Sequence, residues 1–113
     1  MNPSFAAVKS LDDTLFVTSS GHKVRFSALE IAVSYDDVTN IIPSLHDQGY
    51  QYIIHVGDGR NGFITLETRA HSGGYDKKDI SDREGPLEGG EVYVTKWDVS
   101  RLLSSLKSLG FNV

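Results

Sequence analysis

Hydrophobic positions along the chain switch between two periods, and the switches mark out the elements. Residues 30–35 alternate, with Ile31, Val33 and Tyr35 on one side and Glu30, Ala32 and Ser34 on the other. That is the period of a half-buried strand. Val38, Ile41, Ile42 and Leu45 then follow at i, i+3, i+4 and i+7, which is one face of a helix. Gly49 supplies a C-terminal stop. Pro43 is out of place in this helix. It costs an interior hydrogen bond if Asp37 is the cap and nothing if the helix starts at Asn40, so a late start or a kink is expected.

The remaining segments follow the same reasoning. A short helix is expected from Pro3, because proline is tolerated in a first turn. Residues 14–19 and 23–27 read as strands around Ser20-Gly21-His22, a hairpin signal. Residues 50–56 and 63–69 read as strands joined by a glycine-rich link, and 91–96 as a further strand. A helix follows from Asp98 to about residue 109, with Gly110 as its stop.

Two of these strand–helix units resemble each other. Residues 30–52 align with residues 91–113 at a constant offset of 61, without a gap over 23 positions. Seven positions are identical and six more are conservative. Hydrophobic patterning alone would match any two amphipathic units. Here the matches extend to Asp37 and Asp98 as equivalent N-caps, to Gly49 and Gly110 as stops, and to Tyr50 and Phe111 after them. This reads as an internal duplication. The fold expected from it is α+β, with a mostly antiparallel sheet of five to seven strands and two equivalent amphipathic helices on one face. The second unit stops at Val113, where the first continues into a strand. The edge beside that stub is expected to be open, and a homodimer formed through it is one consequence.

Composition narrows the class. At 113 residues the chain suits one domain, residues 1–113, with 70–89 as an inserted loop. It has no cysteine, which removes disulfides, thiolate nucleophiles and Cys-based zinc sites together. No apolar run approaches the roughly 20 residues that span a bilayer. The N-terminus lacks the basic start and apolar stretch of a signal peptide, so a cytoplasmic location is expected. Net charge is −4 and the basic residues are scattered. Nucleic-acid binding needs a concentrated basic face and is not expected.

Residues 57–62, Gly-Asp-Gly-Arg-Asn-Gly, offer backbone N–H groups and Arg60 to an anion. However, Phe63 and Ile64 follow where a phosphate-binding loop needs Lys and Ser or Thr, and a strand follows where a dinucleotide site needs a helix. A hairpin loop rich in turn formers explains the segment. His55, Asp58 and His71 are the one grouping with acid–base or metal-ligand chemistry, and their spacing matches no known ligand pattern. There is no Gly-x-Ser-x-Gly elbow. No catalytic residue, metal or cofactor is expected.

Residues 70–89 are the strongest candidate for function. They hold four glycines, one proline, five acidic and three basic residues, with Tyr75, Ile80 and Leu87 spaced aperiodically among them. Loops this long in a small domain are either functional or solvated insertions. Trp97, the only tryptophan, aligns with Asp36 in the repeat, which argues against a core position. Apolar anchors within a charged rim suit a protein interface.

The reading that follows is a non-catalytic protein-binding module. Its expected contacts are loop 70–89 with Tyr75, Asp76 and Asp79, together with Trp97. Size and acidity, with no motif, are in keeping with a small inhibitor, immunity protein, antitoxin or phage accessory protein. The alternative is a binder of small molecules or nucleotide phosphates with a pocket at a dimer or pseudo-symmetry interface. There Arg60, Arg69, Lys77 and Lys78 would neutralise phosphates while Tyr75 or Trp97 stacks on a base.

Overall fold

A computed structural model describes residues 3–59, 61–75, 77–85 and 91–113. The chain divides into two compact units, Met1–Asp58 and Gly59–Val113.

The first unit opens with helix α1 (Pro3–Val8) and a 3-10 turn (Lys9–Leu11). Strands β1 (Thr14–Val17) and β2 (Lys23–Phe26) then form an antiparallel hairpin, with Thr14 opposite Phe26 and Val17 opposite Lys23. The turn closes through Thr18, whose N–H donates to the His22 carbonyl and whose carbonyl accepts from Gly21 N–H. Gly21 takes φ +84°, a conformation that favours glycine. Phe16 and Phe26 meet edge to face across the pair, with centroids 5.5 Å apart. Helix α2 (Tyr35–His46) follows and leads into an irregular return segment.

The second unit contains β3 (Arg69–His71) and β4 (Val92–Val94), paired antiparallel with Ala70 opposite Tyr93. Helix α3 (Val99–Ser108) closes it. Asp98 Oδ1 caps α3 by accepting from Arg101 N–H at 3.0 Å. At the far end Gly110, at φ +89°, donates to the Lys107 carbonyl, and Phe111 N–H donates to Leu106. This is the paired exit that a glycine in the left-handed region makes possible.

The architecture is therefore a small α+β fold with two two-stranded sheets and three α-helices among the described residues. It is not a five-to-seven-strand sheet carrying duplicated helices. Alternation in sequence specifies a face, whereas a strand exists only where its backbone finds a ladder partner. Residues 31–33 and 52–59 make no ladder. Among the described residues, the backbone of 63–68 is tied at two points, with Ile64 N–H donating to Asn112 and Thr68 accepting from Thr95 N–H.

The two helices also start differently. Ser34, not Asp37, caps α2: its hydroxyl accepts from Asp37 N–H at 3.4 Å. Asp37 thus lies inside the first turn, whereas its counterpart Asp98 stands outside α3 as the cap. Because α2 starts early, Pro43 falls in its interior and the Thr39 carbonyl loses its usual i+4 donor. Of the two expected alternatives, the late start at Asn40 does not occur. The stub 111–113 is held by residues 62–64 through the Ile64 bond and through Asn112 Nδ2, which donates to the Gly62 carbonyl at 2.6 Å.

No hydrophobic side chain among the described residues is fully buried. Apolar groups are instead half-buried along the helix faces: Ile41, Ile42 and Leu45 on α2, and Val99, Leu103 and Leu106 on α3. In the second unit Val99, Leu103 and Val113 line a 460 Å³ groove with Phe63, Ile64 and Leu66. No helix of the described residues is long and apolar enough to cross a membrane.

Candidate functional site

The site built around residues 70–89 belongs to the second unit. β3 and β4 are its two stalks, and the loop is the connection between them. Ser72 fastens the neck twice. Its N–H donates to the Glu91 carbonyl at 3.1 Å, and its hydroxyl accepts from Glu91 N–H at 3.2 Å. Gly73 beside it is buried. A long loop closed at its base loses less entropy on binding than one hung from distant ends.

Within the loop, Tyr75 folds back so that its hydroxyl donates to the His71 carbonyl. Further out, Asp79 organises a tight turn. Its Oδ1 accepts from Ser81 N–H at 2.9 Å and from Arg83 N–H at 3.0 Å, while its own N–H donates to the Arg83 carbonyl. This is an Asx-type turn, and Asp82 sits within it at φ +59°. The Asp79 carboxylate is thereby engaged in shaping the chain. Ile80, 69% exposed, is displayed on that turn. Lys78 lies 3.4 Å from Asp82 across an exposed i,i+4 pair, worth about 0.2–1 kcal/mol at most.

Trp97 follows β4 by three residues. Its N–H donates to Thr95 Oγ1 at 3.2 Å, its carbonyl accepts from Val99 N–H, and it remains 43% exposed. Tyr75, at 40%, is similarly placed between cover and solvent. Both residues therefore keep solvent-accessible surface in the unit that carries the loop. Asp76, Arg60 and Leu87 lie outside the described residues.

Of the residues of the phosphate alternative, Arg69, Lys77 and Lys78 are described, and none of them lines the groove of this unit. Arg69 is exposed on β3, Lys77 and Lys78 are in the loop, and the groove of this unit has no charged residue in its lining. Nor does the His55–Asp58–His71 grouping assemble within one unit: His55 and Asp58 belong to the first and His71 to the second. Among the described residues no group of three or more His, Cys, Asp or Glu is arranged to hold a metal ion.

What His55 does meet is His46. Their rings stack with centroids 5.8 Å apart and planes at 20°. Desolvation, and next the charge of His46, push the His55 pKa below its ordinary 6.5. In the second unit Tyr93 donates to the Glu91 carboxylate, and that bond first, then the charge of Glu91, raise the phenol above its ordinary value.

Charge is divided unevenly between the units. Residues 1–58 carry three Lys and Arg against seven Asp and Glu, and residues 59–113 carry eight of each. The first unit thus accounts for the whole net charge of −4. Compared with protein-family models, curated proteins and solved structures, the chain matches none.

Proposed function

We propose that the protein is a non-catalytic protein-binding module whose second unit supplies the contact surface, through loop 70–89 and Trp97. The observation that carries this reading is the pinned loop neck. Ser72 and Glu91 close the base of a long excursion, and the same unit keeps Tyr75, Ile80 and Trp97 accessible. An aromatic anchor on a loop fixed at its base binds at a smaller entropic cost than one on a free chain. Asp79 acts by shaping the turn that displays Ile80. The acidic first unit adds long-range steering toward a basic partner.

The test is affinity purification of the tagged chain from its own cells, followed by native mass spectrometry. The variants Tyr75→Ala and Trp97→Ala are run in parallel with the wild type. A partner at fixed stoichiometry, lost or weakened about 30-fold in both variants, is expected if each ring contributes roughly 2 kcal/mol. Their melting temperatures should stay close to wild type. Retention of the partner by both variants refutes the assignment. So does a collapse in melting temperature for both, which would make the rings structural.

A further inference from the structure

The first unit holds a device that the binding surface does not use. Helix α2 ends at His46, and the chain turns through Asp47, Gln48 and Gly49 before returning along residues 50–58. Gly49 takes φ +82° in that turn. Unlike α3, this helix lacks the paired backbone exit through its glycine. Its last bonds are Asp47 N–H to the Pro43 carbonyl and Gln48 N–H to Leu45, both 3.2 Å. Pro43 further weakens the final turns by removing a donor. Between the end of α2 and the return segment, the ring contact found among the described residues is the stacked pair of His46 and His55.

We propose that this stacked pair is a pH-sensitive latch, which holds the C-terminal end of α2 against residues 50–58 at neutral pH and releases it on acidification. Two neutral imidazoles stack favourably, whereas two imidazolium rings at 5.8 Å repel. The charge that bears on the His55 ring is that of His46, from the end of α2. Asp47 stands beside His46, and Asp58 lies on the return segment. The His46 and His55 side chains are both exposed, so desolvation of His55 is only partial; it comes first and the charge of His46 second in opposing protonation of His55 in the folded state. A histidine whose folded pKa is lowered stabilises fully above its unfolded value of about 6.5. That contribution is lost as pH falls through the lowered folded value. The latch is closed at pH 7.5 and opens in the acidic range.

Amide hydrogen exchange on the full chain, corrected for intrinsic rates, tests this between pH 7.5 and pH 5. Protection over residues 43–56 should fall on acidification, while protection over α3 in the same molecule stays level. His55→Phe keeps a ring against His46 without a titrating nitrogen, and its protection over 43–56 should lose most of its pH dependence. In the wild type, an NMR titration should place the His55 midpoint below 6.5. His46→Gln should move that midpoint back upward. Equal loss of protection in α3, unchanged pH dependence in His55→Phe, or a His55 midpoint at or above 6.5 would overturn the latch. The midpoint reads directly on the wild type, so a poorly folded variant does not leave the question open.

Discussion

The caps of α2 and α3 offer a test in which the duplicated pattern and the structure predict opposite orders. An exact repeat makes Asp37 and Asp98 equivalent, so Asp37→Ala and Asp98→Ala should cost the same and Ser34→Ala little. The structure assigns the cap of α2 to Ser34. Asp98 accepts from Arg101 N–H at 3.0 Å, an ordinary capping bond, so Asp98→Ala should cost about 1 kcal/mol. The Ser34 bond is longer, 3.4 Å, which places Ser34→Ala at the lower end of the capping range, about 0.5–1 kcal/mol. Ser34 is only 7% exposed, so water cannot readily replace the lost acceptor, and the cost should not fall below that range.

Asp37 contributes through its charge in the first turn, about 0.3–1 kcal/mol at low ionic strength, and that share shrinks with salt. The assay is urea unfolding of the three variants at low salt and again at about 1 M salt, where the screening length is ~3 Å. The order in salt should be Asp98→Ala, then Ser34→Ala, then Asp37→Ala near zero. An Asp37→Ala cost equal to that of Asp98→Ala in high salt, with Ser34→Ala neutral, would refute the assignment.

Other substitutions probe separate features. Gly110→Ala meets no atom within 4 Å but must hold φ +89°, so it should destabilise by about 1 kcal/mol in thermal unfolding. Gly57→Ala has equal space and no positive φ; it should be neutral or stabilise by roughly 0.5 kcal/mol. Pro43→Ala restores a donor for the Thr39 carbonyl in the interior of α2 and should raise stability by about 1 kcal/mol or more, read as increased helicity and a higher melting temperature. Ser72→Ala removes the acceptor for Glu91 N–H, so limited proteolysis within loop 70–89 should accelerate while α3 remains protected.

The local elements were largely legible in the chain because their determinants are local. Pro3 marks a helix start, and Ser20-Gly21-His22 marks the hairpin of β1 and β2. The spacing of Val99, Leu102, Leu103 and Leu106 marks α3, with Asp98 and Gly110 at its ends. Each depends on a few neighbouring residues and their φ/ψ preferences. Residues 70–89 stand out in the sequence because their composition fits neither period, although Ala70 and His71 belong to β3.

Pairing was decided only by the tertiary structure. Residues 30–35 alternate, and residues 50–56 and 63–69 also read as strands, yet only Arg69 of these joins a ladder. Alternation encodes which face is apolar, and it is silent on which backbone lies alongside. The same limit explains the false symmetry of the repeat. Aspartate is a good cap at position 37 and at position 98, but a serine three residues earlier competes for the start of α2 and wins it. The Ser72–Glu91 neck and the His46–His55 stack join residues 19 and 9 positions apart. Such contacts exist because the chain turns back on itself, and no local pattern of side chains records where it does.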